Sequence, residues 1–213
     1  AWLLFNRSKL RQRMKELELR NRIAADLHDE VGSSLSSIHM LSQMASQKTS
    51  ETAQHDILSR MSNNAKETMD KMGDIVWMIK PGETEAGSLV QRMEHFAYEV
   101  GSSKSIEVAV QLDELEKVKL SMDQRRNIYL IFKEALNNAA KYSGAKKIDI
   151  ASSLKNRELQ LMIKDEGNGF DHASARKGNG LGNMSARAAE LGGKLEINSL
   201  VNEGATIMLT LPV

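Results

Sequence analysis

The chain has 213 residues, 41% of them hydrophobic, enough to bury one large domain or two small ones. A formal net charge of +1 gives no general reason to expect nucleic acid or a strongly acidic substrate as partner. The absence of cysteine excludes disulfides, thiolate catalysis and cysteine-ligated zinc.

The chain opens on "AWLLF", an apolar run far short of the roughly 20 residues that cross a bilayer. It leads into residues 7–22, where seven basic side chains stand against two acidic ones. A hydrophobic end followed by a basic, helix-prone segment predicts the cytoplasmic exit of a truncated transmembrane helix, with a signalling coiled coil, over residues 1–20. The other reading is a basic amphipathic surface helix behind an arbitrary start.

Up to about residue 80 no strand-like alternation occurs. Ala24, Leu27, Val31, Leu35, Ile38, Leu41 and Ala45 recur at helical spacing, and so do Ile57, Met61, Ala65, Met69 (or Thr68), Met72, Val76 and Ile79. The polar "ASQKTSETAQ" between them is the natural turn, so residues 21–80 are expected to form an antiparallel helical hairpin. Two helices cannot bury both stripes by themselves, which predicts a dimeric four-helix bundle.

"KPGETEAGS" is punctuation, and residues 81–88 are expected to be a hinge. Beyond it, residues 89–213 alternate helices and strands. Helices are expected at 89–101 and 122–142. Strands are expected in "SIEVAVQL", "KIDIASSL" and "ELQLMIKDEG". "LGNMSARAAELGG" reads as a helix ended by glycines, and "KLEINSL" with "GATIMLTLPV" as a closing hairpin. The fold class is therefore α+β in two domains, the helical hairpin followed by an α/β sandwich.

Three stretches of the second domain can carry chemistry. Glu134, Asn138 and Lys141 share one helical face, either as a solvated polar stripe or as a seat for magnesium and a polyphosphate. Asp165 ends an apolar strand before Gly167 and Gly169, either as a plain turn or as an acceptor for an exocyclic amine. Gly178, Gly180 and Gly182 alternate just before a helix, where backbone N–H groups can meet phosphate. Their spacing is neither a dinucleotide fingerprint nor a P-loop.

Taken in order, these pieces resemble the Bergerat-type ATP-binding domain shared by sensor histidine kinases, Hsp90-like chaperones, MutL-like proteins and type II topoisomerases. The resemblance implies ATP and Mg2+ as cofactors. It implies that Asn138 holds the metal with Glu134 beside it, and that Asp165 binds the adenine amino group. Gly167 and Gly169 would let the purine approach, Gly178, Gly180 and Gly182 would shape a short lid, and Thr206 would lie near the adenine.

Upstream, "NRIAADLHDEVGSSLSSI" is similar to the phosphoacceptor helix of the histidine kinase branch related to NarX and DesK. There Arg-Ile-Ala is followed two residues later by Leu-His-Asp. "DIVWMIKP" and "FKEALNNAAKYS" extend the likeness to membrane sensor kinases of Bacteroidetes-type bacteria. At about 100° per residue, His28 falls on the shoulder of the apolar stripe, neither buried nor remote. The resemblance implies autophosphorylation of His28, with Asp29 orienting or deprotonating the ring. The phosphoryl group would then pass to an aspartate of a response regulator receiver domain. It further implies a homodimer at the inner membrane, with this part on the cytoplasmic side and no nucleic acid partner. One position departs from the pattern: Ser33 stands where related kinases often carry a Gln that positions water, so phosphatase activity is not carried over. His39, His55, His95 and His172 have no partner set and read as structural or solvent-facing.

Overall fold

The computed structural model describes residues 31–46, 50–79, 86–170 and 179–213, with isolated positions (7, 10, 14, 17, 18 and 21) before them. His28, Asp29, His172, Gly178, most of the basic N-terminal segment and residues 80–85 lie outside the described residues. The chain divides into two compact units, Ala1–Pro81 and Gly82–Val213.

The first unit is helical, with residues 31–46 in α1 and Glu51–Ile79 in α2. The amide of Gln54 donates to the Ala45 carbonyl (3.4 Å), and that of Asn64 donates to Ser37 Oγ (3.1 Å). Moving forward along α2 thus moves backward along α1, as an antiparallel hairpin requires. Leu41 and Ile57 are buried in it, and Thr68 rather than Met69 is the inward residue at its position. Leu35, Met69, Met72 and Val76 stay exposed. The expected stripe is therefore only partly used within one chain, because a helix pair has room between its axes for one seam.

The second unit is a five-stranded sheet in the order β1-β2-β3-β5-β4, carrying α3 to α6. The strands are β1 Glu107–Gln111, β2 Lys147–Lys155, β3 Glu158–Asp165, β4 Lys194–Ser199 and β5 Ala205–Pro212. β1 and β2 are parallel, and the remaining neighbours are antiparallel. Alternate residues are buried: Ile148 and Ile150 of β2, Leu159, Leu161 and Ile163 of β3, and Ile207, Leu209 and Leu211 of β5. This period of two puts one sheet face against helices and leaves the other partly open to solvent.

α5, Met122–Tyr142, is the central helix. Ser121 caps it, accepting the Gln124 N–H while the Gln124 side chain accepts the Ser121 N–H. Ile128, Ile131, Phe132, Ala135, Leu136 and Ala139 are all buried, and Phe132 meets Phe96 of α3 (Ala86–Lys104) edge to face at 6.2 Å.

Three expectations need correction. α3 begins at Ala86, inside the expected hinge, because Leu89, Val90, Met93 and Ala97 give it a fully buried face that outweighs Gly87. A short helix, α4 (Asp113–Glu116), follows β1 where no element was expected; the Ser152 hydroxyl accepts the Leu115 N–H there. α6 spans Asn179–Glu190, so Gly180 and Gly182 lie inside its first turns rather than ahead of it.

Candidate active site

The C-terminal half of α5, the end of β3, the start of β5 and the start of α6 enclose a cavity of about 510 Å³, within the usual range for small-molecule sites. Among the described residues, Glu134, Asn138, Asp165, Gly169 and Gly180 line it. Its apolar walls come from Ala139, Ile163, Phe170, Leu181 and Ile207, with Tyr142 at an exposed edge. The lining matches a flat apolar ligand portion at the Asp165 end and a charged portion at the Glu134–Asn138 end.

Helical spacing brings Glu134 and Asn138 together. One turn apart, the Asn138 amide donates to Glu134 Oε1 at 3.3 Å. Turning the NH₂ toward the carboxylate leaves the amide oxygen as the acceptor offered to a cation. A carboxylate and an amide oxygen are hard donors that suit magnesium, which takes only one or two protein ligands and completes its shell with phosphate and water. No group of three or more His, Cys, Asp or Glu able to hold a metal alone occurs among the described residues. The residues present therefore fit magnesium shared with a polyphosphate, and do not form a closed metal cage.

α6 is held against this end. A Cβ on Gly180 would overlap Glu134 Oε1, so the helix start lies directly on the carboxylate. Further along, Arg187 donates to Asn127 of α5 at 3.2 Å. Burial, then the neighbouring Arg126, holds the Arg187 guanidinium below its ordinary value, while Glu190 and Glu134 oppose that shift.

At the other end Asp165 is buried, with its Oδ1 accepting the Gly167 N–H at 3.0 Å. Burial raises its carboxyl above the ordinary value, and hydrogen bonds from the Gly167 N–H, the Ala205 N–H and the Ser143 side chain partly offset this. Gly169 takes a left-handed φ of +57°, which glycine adopts freely, and a Cβ there would overlap the Leu200 carbonyl. The 165–170 loop is thus fitted onto the β4–β5 turn, where the Asn202 N–H donates to the Asn168 carbonyl at 2.6 Å.

Of the other predicted positions, Lys141 and Gly182 are exposed, and neither lines the cavity. Gly167 abuts Ser143 rather than the cavity. Thr206 is off by one: Ala205 and Ile207 line the cavity, and strand alternation turns Thr206 to the opposite sheet face. Sequence reading also missed Ser143, Tyr142 and Phe170. Tyr142 follows Asn138 by one helical turn, and Phe170 directly follows the second loop glycine, so spacing held a signal for both.

Comparison with known families matches this geometry. Residues 123–213 match the "Histidine kinase-, DNA gyrase B-, and HSP90-like ATPase" family, the class that the sheet, the helices and the cavity define. Residues 20–84 match a second family, described as "Histidine kinase". The two spans take in well over half of the chain, which belongs to the histidine kinases, in the NarX- and DesK-like branch.

The chain is similar to sensor histidine kinase LiaS of Bacillus subtilis, 25% identical over 199 residues, covering 92% of this chain and 54% of that protein. It is also similar to sensor histidine kinase YhcY of the same organism, 24% identical over 208 residues, covering 97% and 53%. It thus spans about half the length of these curated relatives. Among solved structures, the histidine kinase domain of the Erythrobacter litoralis EL346 blue-light activated kinase shares the fold, with a TM-score of 0.56 and 14% identity over 85% of this chain and 94% of that one. Acinetobacter baumannii histidine kinase AdeS has a TM-score of 0.56 and 15% identity, covering 86% and 96%. Among the described residues no helix is long and apolar enough to cross a membrane.

Proposed function

We propose that this chain is the cytoplasmic core of a membrane sensor histidine kinase. It uses ATP to phosphorylate His28 and hands the phosphoryl group to an aspartate on a separate response regulator. The observation that carries the reading is the single cavity joining Asp165 at one end to Glu134 and Asn138 at the other, in a chain whose first unit carries Leu27-His28-Asp29. The relatives' names and the basic segment at residues 7–22 support the sensor and membrane parts of the proposal.

The roles divide along the cavity. Asp165 accepts a hydrogen bond from the adenine amino group, and Ile163, Ile207 and Phe170 cover the purine and exclude water. Asn138 and Glu134 would hold magnesium, which when bound neutralises charge on the polyphosphate. An imidazole nitrogen of His28 attacks the γ-phosphorus in line. The N–P bond forms as the bond from the γ-phosphorus to the bridging oxygen breaks, and that oxygen leaves on ADP with the electron pair. Asp29 holds the second ring nitrogen's proton and takes it as positive charge develops on the imidazole. Transfer to the regulator reverses the polarity: a carboxylate oxygen forms the new O–P bond, the N–P bond breaks with its electron pair staying on the ring nitrogen, and Asp29 gives the proton back, returning neutral His28.

The exposed Leu35, Met69, Met72 and Val76 support a second copy of the chain as the hairpin's partner. Ser33 in α1 can hydrogen-bond a water but reaches less far than the Gln of related kinases, so phosphatase activity is not part of this proposal. Incubation with γ-labelled ATP and magnesium tests the proposal. Label retained on the protein is expected; label released only as free phosphate would mean an ATPase that works by hydrolysis, as a chaperone does.

A further inference from the structure

Ser199 ends β4 where the 165–170 loop meets the β4–β5 turn. Its hydroxyl makes two hydrogen bonds. The Oγ accepts the Phe170 N–H at 2.8 Å, and the O–H donates to the Gly204 carbonyl at 2.9 Å. One proton is given and one lone pair is used, so the two bonds do not compete. The backbones of loop and turn also meet. The Asn202 N–H donates to the Asn168 carbonyl at 2.6 Å, a Cβ on Gly169 would overlap the Leu200 carbonyl, and a Cβ on Gly204 would overlap the Asp165 carbonyl.

Closure of its own turn accounts for the bond from Ser199 to Gly204, five residues on. It does not account for the bond to Phe170, 29 residues away in sequence. Phe170 is a wall of the cavity, together with Ile163 and Ile207, whereas Ser199 does not line it. Phe170 stands beyond the end of β3 at Asp165, so its N–H has left the β3 ladder. A part-buried N–H is costly to leave without an acceptor. Ser199 supplies that acceptor from a strand end held in register by β5, where it stands opposite Ala205. The loop is thereby tied to the sheet at the residue that carries the aromatic ring.

We infer that Ser199 is a positioning residue for the purine: its hydroxyl ties Phe170 to the β4–β5 turn and so holds the Phe170 ring against the base of a bound adenine nucleotide. The inference rests on the proposed ATP reading and deepens it, since Ser199 acts through Phe170 rather than on the nucleotide itself.

The test measures equilibrium binding of the β,γ-imido analogue of ATP, whose γ-phosphoryl group is not transferred, to the full chain with magnesium. The variants are Ser199→Ala, Ser199→Thr, Phe170→Ala, Asp165→Asn and the double variant Ser199→Ala/Phe170→Ala. A neutral hydrogen bond is worth about threefold to tenfold in an equilibrium constant, and Ser199→Ala is expected to weaken binding by that factor. Ser199→Thr keeps the hydroxyl and should bind as the wild type does. Phe170→Ala should weaken binding at least as much as Ser199→Ala. Adding Ser199→Ala to it should change nothing further, because the ring through which Ser199 acts is gone. Should Ser199→Ala fail to fold, Ser199→Cys, whose thiol is a poorer partner in both bonds, takes its place. Additive losses in the double variant would reduce Ser199 to a turn residue and overturn the inference. So would wild-type affinity in Ser199→Ala or in Phe170→Ala, and loss of binding in Asp165→Asn would then leave the ATP reading standing. A wild-type chain that does not bind the analogue overturns both.

Discussion

Asp165 is a carboxylate kept in an apolar surround at a cost to the fold. Because burial raises its folded-state pKa above the ordinary 3.8, the folded chain binds its proton more tightly than the unfolded chain does. Its contribution to stability is therefore largest below pH 3.8 and is lost as pH rises through the raised value. The melting temperature of Asp165→Asn minus that of the wild type should accordingly grow as pH rises through this window. A difference that stays flat with pH would contradict the assignment. Gly180 makes a complementary case. In Gly180→Ala the new methyl overlaps the flexible end of Glu134 and otherwise makes ordinary contact with the Asn138 amide, so stability should change by less than about 1 kcal/mol. The carboxylate must move, however, and phosphorylation is expected to slow by about tenfold, or about 1.4 kcal/mol of barrier. Equal rates for variant and wild type would remove Glu134 from the active set.

At the scale of elements, α5 does most to build the site. It presents Glu134, Asn138 and Ser143 from one rigid rod whose start is fixed by the reciprocal Ser121–Gln124 bonds and whose buried face packs on the sheet and α3. Ser121→Ala should cost about 1 kcal/mol, read as a lowered melting temperature with nucleotide affinity unchanged once folded. α5 was legible because its apolar period and polar stripe agree along its length, while the Ser121–Gln124 cap emerged only in the structure. β2, β3 and β5 were legible from their alternation. The start of α6 was not, because glycines read as helix breakers, and the seat of Gly180 against Glu134 of another element leaves no trace in the local sequence. The face of β5 was not legible either. Ala205, Thr206 and Ile207 all suit a strand, and a shift of one residue exchanges the two faces, so only pairing with β3 decides which lines the cavity. Ser143 was hidden for another reason: the Gly167–Asn168 loop that rests on it lies in another segment, and local sequence carries no trace of that contact.

At the scale of the whole chain, the hairpin's exposed apolar residues and the cavity of the second unit call for different partners, a second copy and a nucleotide. Val76 and Met69 are 59% and 64% exposed on α2, too much apolar surface to leave in water along one helix. Light scattering should give the wild-type chain the mass of two copies, and Val76→Glu with Met69→Glu should shift it toward one. A wild-type mass of one copy would contradict the four-helix-bundle reading. The central claim, however, is that the γ-phosphoryl group of ATP ends on His28. The most direct measurement is the chemical stability and position of protein-bound label after incubation with γ-labelled ATP and magnesium. Label that is lost in acid, survives alkali and disappears in His28→Gln is expected. Label of equal strength in His28→Gln, or label that survives acid, would contradict it.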